Sequence, residues 1–152
     1  MYLGLYETAV GSKNQLTFPS KLLIKAGKNF IVTHWFEKSL VVLPEVDAEN
    51  ILQAVIREAT PLLPESRDLT RFFFANAVQV DLDNKNRFVL PKELREYAQI
   101  GSEAVFLGVN DRIELWDKKV YQNYGAIREA QIRETAIQHY NRIKQQIQNT
   151  NE

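Results

Sequence analysis

Two stretches of this chain lie over one another. Val10-Gly11-Ser12-Lys13-Asn14-Gln15-Leu16-Thr17-Phe18-Pro19 is followed, 72 positions later, by Leu82-Asp83-Asn84-Lys85-Asn86-Arg87-Phe88-Val89-Leu90-Pro91. Apolar, turn and proline positions coincide. A second block returns at nearly the same spacing, Leu40-Val41-Val42-Leu43 against Ile113-Glu114-Leu115-Trp116. Self-similarity at a fixed offset marks a duplicated supersecondary unit. Each copy is only about 45 residues, below the length that usually folds alone, so the two copies must share a core.

Both copies predict the same order of elements. Leu5 to Val10 and Val78 to Leu82 read as strands with partial apolar alternation. Gly11 to Asn14 and Asp83 to Asn86 read as turns, because Gly, Asn and Asp tolerate positive φ and form local side-chain bonds. Leu16-Thr17-Phe18 and Phe88-Val89-Leu90 resume as strands, and Pro19 and Pro91 stop them and suit the first turn of a short helix. Those helices are expected over Ser20 to Ala26 and Lys92 to Ala98, ending near Gly27 and Gly101. Apolar strands follow over Phe30 to Trp35 and Ala104 to Val109. Tight turns at Glu37-Lys38-Ser39 and Asn110-Asp111-Arg112 lead to the closing strands.

Between the copies, Asp47 is expected to cap a helix running to about Ala59, with Ile51, Leu52, Val55 and Ile56 as its apolar stripe. Pro61 and Pro64 end that helix, and a second one is expected from Ser66 to about Ala75. After the second copy, Asp117 is expected to cap one long helix to about Gln148, with Gly125 as its weak point. Ile132, Ala136, Tyr140, Ile143 and Ile147 recur on it at spacings of three or four, an apolar stripe suited to packing on a neighbour. The end after Gln145 is expected to fray. The organisation is therefore a first repeat over 5–48, connecting helices over 49–76, a second repeat over 77–120 and a terminal helix over 121–148.

Composition narrows the function. Hydrophobic residues are 45% and charged residues 25% of 152, the balance of a globular chain. No apolar run reaches the roughly 20 residues that span a bilayer, and the first residues lack the pattern of a secretory signal. With no cysteine there is no disulfide, thiolate metal site or thiol nucleophile, which fits a cytoplasmic setting. The formal net charge is zero, yet it is unevenly spread. Between Thr8 and Phe36 stand Lys13, Lys21, Lys25 and Lys28 and no acid, whereas acids gather between Asp81 and Asp117. A neutral chain of this kind still presents a basic face.

The paired units resemble the MraZ family of double AbrB-like proteins. The residues that carry the resemblance are Asp83-Asn84-Lys85-Asn86-Arg87, matching an Asp-x-x-x-Arg element, the Phe88-Val89-Leu90-Pro91 that follows, and Ile113-Glu114-Leu115-Trp116-Asp117. The resemblance extends to about Tyr121. It implies an α+β fold of two tandem AbrB-like swapped-hairpin repeats interleaved into one pseudo-symmetric β-barrel unit. It also implies subunits packed into a homo-oligomeric ring that binds short direct repeats in double-stranded DNA, on the nucleoid, and represses its own division and cell-wall gene cluster. In the first copy the family's Asp and Arg positions are Gly11 and Gln15, and Asn14 and Asn86 replace Gly. This departure sustains an alternative, a ring-forming interaction protein whose DNA specificity is weakened or lost.

The candidate DNA-binding residues are Lys13, Asn14, Gln15, Lys21, Lys85 and Arg87. Lysines on phosphates position a protein without reading sequence, whereas Asn and Gln amides pair bidentately with adenine. Asp83 and Arg87 have two readings: a charge-assisted brace across the turn, or Arg87 reaching a phosphate or a guanine edge. His34 and His139 have no ligand-spaced partners, so no metal, cofactor, small-molecule substrate or catalytic residue is expected. Trp35, Phe36, Trp116 and Phe72-Phe73-Phe74 are expected in the core or at subunit contacts rather than as stacking platforms.

Overall fold

Eight strands in the computed structural model, which describes residues 1–23, 27–56 and 60–152, follow the duplicated pattern. In the first copy they are β1 (Tyr2–Ala9), β2 (Gln15–Thr17), β3 (Asn29–His34) and β4 (Leu40–Pro44). In the second they are β5 (Val78–Asp81), β6 (Arg87–Val89), β7 (Glu103–Asn110) and β8 (Arg112–Asp117). The chain divides into two units, Met1–Lys118 and Lys119–Glu152.

The strands of the first unit cross between copies. One six-stranded antiparallel sheet runs β1-β7-β8-β4-β3-β5, and β2 pairs with β6 in a separate two-stranded ribbon. Exchanging each strand for its counterpart leaves that order unchanged, so a pseudo-two-fold relates the copies. The axis passes where counterparts face each other: Leu16 opposite Phe88 in the ribbon and Val41 opposite Glu114 in the sheet. Main-chain bonds outside the ladders repeat the symmetry. The Phe18 N–H donates to the Asn86 carbonyl at 2.7 Å and the Leu90 N–H to the Asn14 carbonyl at 3.0 Å. The Val10 N–H donates to the Ser102 carbonyl and the Leu82 N–H to the Lys28 carbonyl, both at 2.9 Å. Each copy thus satisfies backbone donors the other leaves open, which is how units too small to fold alone become one.

The shared core is filled by pairs of counterparts of unequal size. Leu16 and Phe88, Phe18 and Leu90, Phe30 and Ala104, and Val32 and Phe106 are all buried. Phe18 lies 4.7 Å from Phe30 and 5.2 Å from Phe106, ring centre to ring centre, so bulk on one copy occupies the space left by a smaller mate. A second cluster covers the other face of β3 and β4, where Trp35, Val41 and Leu43 meet Ala48, Leu52, Ile56 and Phe73. There the buried Thr33 hydroxyl donates to the Phe73 carbonyl. The aromatic residues Trp35, Phe73 and Trp116 are core residues, while Phe36 and Phe74 retain substantial exposure.

Several boundaries differ from the sequence reading. The first strand starts at Tyr2 because Gly4 and Gly108 face each other in the β1–β7 pair. A Cβ on Gly108 would lie 2.4 Å from the Leu3 nitrogen, and Gly4 itself has φ +100. The helix expected from Ser20 is a single 3-10 turn over Ser20–Leu22, and its expected end, residues 24–26, lies outside the described residues. Its counterpart, α3 (Lys92–Tyr97), forms as a true helix.

The connecting helix α1 spans Glu45–Val55 and begins directly from Pro44, so Asp47 lies in its first turn rather than at its cap. Its carboxylate still favours the positive end of the helix. Its expected end near Ala59 falls outside the described residues. Pro64, expected to end a helix, instead opens α2 (Pro64–Thr70), the position where a missing N–H costs nothing. A π-helical turn over Arg71–Ala75 follows.

Two helices replace the expected single one at the C-terminus: α4 (Lys118–Glu129) and α5 (Ile132–Asn151). Gly125 lies inside α4, and the break falls at Ala130 and Gln131. There Arg128 donates to the Gln131 side chain at 3.1 Å and to the Thr135 hydroxyl at 3.3 Å, and the Gln131 N–H returns to the Arg128 carbonyl. The Asp117 carboxylate accepts the Gly101 N–H at 2.9 Å. The end expected to fray is helical through Asn151, and no residue of α5 is buried.

Candidate nucleic-acid interface

The ribbon β2–β6 brings the sequence candidates together. Gln15 pairs with Val89, Leu16 with Phe88 and Thr17 with Arg87. Side chains alternate along a strand, so burial of Leu16 and Phe88 on the core side turns the other four outward. The outward face therefore carries Gln15, Thr17, Arg87 and Val89. Because the strands are antiparallel, the two turns that feed them stand at opposite ends. Lys13 and Asn14 sit at one end beside Gln15, and Lys85 and Asn86 at the other beside Arg87. Lys21 joins the second end, lining a shallow groove with Tyr6, Glu7, Thr17 and Asn86.

The two turns are built differently. In the second copy Asp83 organises its own turn, accepting the Lys85 N–H at 2.8 Å, the Arg87 N–H at 2.9 Å and the Arg87 Nε at 2.9 Å. These donors hold the Asp83 carboxyl below the ordinary carboxylate range, the Arg87 N–H contributing most. Among the described residues the brace engages Nε of the guanidinium and no ion pair engages its Nη groups. In the first copy Gly11 has no side chain to offer, and Lys13 and Asn14 both take left-handed backbone, φ 61 and 60. The turn closes through the Gly11 N–H to the Gln15 carbonyl at 2.8 Å. The Asn14 Oδ1 accepts a 2.6 Å hydrogen bond from Nη1 of Arg95, on α3 of the other copy.

Among the described residues, Lys13, Lys21 and Lys85 are exposed and form no ion pair. Lys118 is held differently, between Glu7 at 3.0 Å and Glu103 at 3.1 Å, and these carboxylates raise its pKa, Glu7 first. Lys25, counted in the basic stretch, lies outside the described residues.

Sequence reasoning missed three residues of this surface. Thr17 and Val89 were legible from strand alternation once Leu16 and Phe88 were placed in the core, and Val89 is 55% exposed. Arg95 left no local signal, being 81 positions from Asn14.

Elsewhere the chemistry is quiet. His34 stacks on Tyr97 with ring centres 3.7 Å apart, and burial, then Lys38, lowers its pKa. Among the described residues no cluster of His, Cys, Asp or Glu could hold a metal ion, and no helix is long and apolar enough to cross a membrane.

Comparison with known proteins gives one family. Residues 73–143 match the family model described as "MraZ protein, putative antitoxin-like". A protein of Desulfitobacterium hafniense named transcriptional regulator MraZ is 36% identical over 124 residues, 82% of this chain and 86% of that protein. Its namesake in Caldanaerobacter subterraneus is 32% identical over 137 residues, 90% of this chain and 94% of the relative. That of Clostridium acetobutylicum is 35% identical over 124 residues, 82% and 87% of the two chains.

Proposed function

The chain belongs to the MraZ family, whose named members are transcriptional regulators, and we propose that it is a sequence-specific regulator gripping double-stranded DNA through the β2–β6 ribbon. The observation that carries this reading is the ribbon itself: one outward face with unpaired lysines at both ends. A two-stranded ribbon is narrow enough for a major groove about 12 Å wide. Lys13, Lys21 and Lys85 would neutralise phosphates and set the register. Gln15 would read an adenine edge, and Arg87, its Nε already fixed by Asp83, would offer its Nη groups to guanine. Asn14 contributes less to base reading than its sequence position implies, because its amide oxygen is occupied by Arg95.

A ring of such subunits makes the binding multivalent. Each subunit meets one repeat box, and weak contacts on a rigid assembly add through effective concentration. Repression of its own gene cluster follows if the boxes overlap a promoter, and the protein then works in the cytoplasm on the nucleoid. No step of this action requires a reaction, a metal or a cofactor.

The test is binding of the purified protein to its own upstream DNA across salt concentrations, with one to four boxes. The expected log–log slope is steep and negative, with tight binding only to multi-box DNA. Lys13→Ala should flatten the slope by about one unit per engaged subunit and weaken all sequences alike, while Gln15→Ala should blur sequence preference. A slope near zero for the unaltered protein would favour the alternative, an assembly protein without DNA specificity.

A further inference from the structure

We infer that Arg95 is the positioning residue of the first-copy turn, doing from the other copy what Asp83 does for its own; the consequence for DNA rests on the function proposed above. Three observations converge. The first turn has the same main-chain closure as the second, Gly11 N–H to the Gln15 carbonyl against Asp83 N–H to the Arg87 carbonyl. It has no side-chain brace of its own, since Gly11 stands where the second copy has Asp83. It nevertheless holds two consecutive residues, Lys13 and Asn14, at positive φ. Asn tolerates such backbone, but a lysine beside it keeps it only when its surroundings fix it. The Arg95 Nη1 supplies such a fixing bond, at 2.6 Å to the Asn14 Oδ1, in a partly buried site. Hydrogen bonds with a charged donor are the stronger kind.

Arg95 acts where the copies meet. Leu90 donates its N–H to the Asn14 carbonyl and leads directly through Pro91 into α3, which carries Arg95. Both bonds on Asn14 therefore come from one continuous segment of the second copy. Holding Asn14 by its carbonyl and its amide oxygen together ties the Lys13–Gln15 tip to that segment. The matching position in the first copy is Leu23, which cannot donate from its side chain. Asn86 needs no such donor because Asp83 already orders its turn. Among the described residues Arg95 has no carboxylate partner, so its guanidinium is engaged by the Asn14 amide instead.

The pseudo-symmetry supplies its own control. The Leu90 N–H bonds Asn14 and the Phe18 N–H bonds Asn86, so the pair reports on the two turns separately. Arg95→Met keeps the aliphatic stem and removes the donor. Amide hydrogen exchange should accelerate about tenfold at Leu90 and stay unchanged at Phe18. Equal acceleration at both would mean general destabilisation, and no change at either would mean that Arg95 braces nothing; both outcomes overturn the inference, and neither involves DNA.

The second arm is binding to the upstream DNA. Arg95→Met should weaken it about tenfold. Adding Gly11→Asp should restore it, because an Asp there can accept the Lys13 and Gln15 N–H groups as Asp83 accepts those of Lys85 and Arg87. A Cβ at Gly11 meets its nearest neighbour, the Gln15 carbonyl oxygen, at 3.4 Å, an ordinary contact. If Arg95 served only as a phosphate contact, the added carboxylate would weaken binding further, and the positioning role would fall. If the exchange result holds while the unaltered protein binds no DNA, the brace stands and the proposed function fails.

Discussion

The two ribbon turns occupy equivalent places and solve the same problem by different means. The second carries its brace within five residues, Asp83 to Arg87, and thereby engages its own arginine. The first has no carboxylate, leaves Lys13 unpaired and borrows its order from Arg95. Duplication within one chain permits this, because a brace missing from one copy can be supplied by the other without a second polypeptide. The first turn is thus the more dependent on tertiary structure, and the second the more self-sufficient.

The largest effect that could break the comparison lies in the core. Phe18→Ala should cost about 4 kcal/mol and its mate Leu90→Ala about 3 kcal/mol, because Phe18 alone spans both Phe30 and Phe106. Urea denaturation should show a single transition for residues of both copies in each variant. Two separated transitions would show that the copies do not share a core.

A smaller effect separates the long edge strand β1 from its short counterpart β5. Gly108→Ala would press a Cβ against the main chain of Tyr2 and Leu3, and should cost about 2 kcal/mol. Exchange protection should fall along β1 and hold along β5. Uniform loss along both strands would locate the strain elsewhere.

The smallest effect sharpens the contrast between the turns. The Asp83 carboxyl is depressed in the folded protein, so its contribution is present above the unfolded carboxyl value of about 3.9 and is lost as pH falls through the lower folded value. The urea midpoint of Asp83→Asn should therefore lie below that of the unaltered protein at pH 7, and the gap should close in acid. A gap of the same size at both pH values would exclude the ionised brace. The first turn, with Gly11, has no group to titrate in this way.

Much of the fold was legible because it is local or repeated. The repeat marked Leu16 to Phe18 and Phe88 to Leu90 as strands, the two prolines marked both strand ends, and Asn at the turns anticipated positive φ. What failed was either competition between nearby signals or pairing across distance. Pro64 reads equally as the end of one helix or the start of the next, and only packing chose the start. Gly125 has the lower helix propensity, yet α4 runs through it and breaks where Arg128 can bond Gln131 and Thr135. The site was legible as a set of residues, Lys13 to Arg87, but not as a surface.

The amino-acid order alone determined that two like units must share one core, since each is too short to bury enough apolar surface by itself. It also determined which ribbon positions share a face, because side-chain alternation is a property of the strand, while burial of Leu16 and Phe88 decided which face turns inward. Tertiary structure decided which strand of one copy lies beside which of the other, and with it that Arg95 reaches Asn14. Those pairings satisfy main-chain donors and fill the core jointly, and no local pattern encodes a partner 81 residues away.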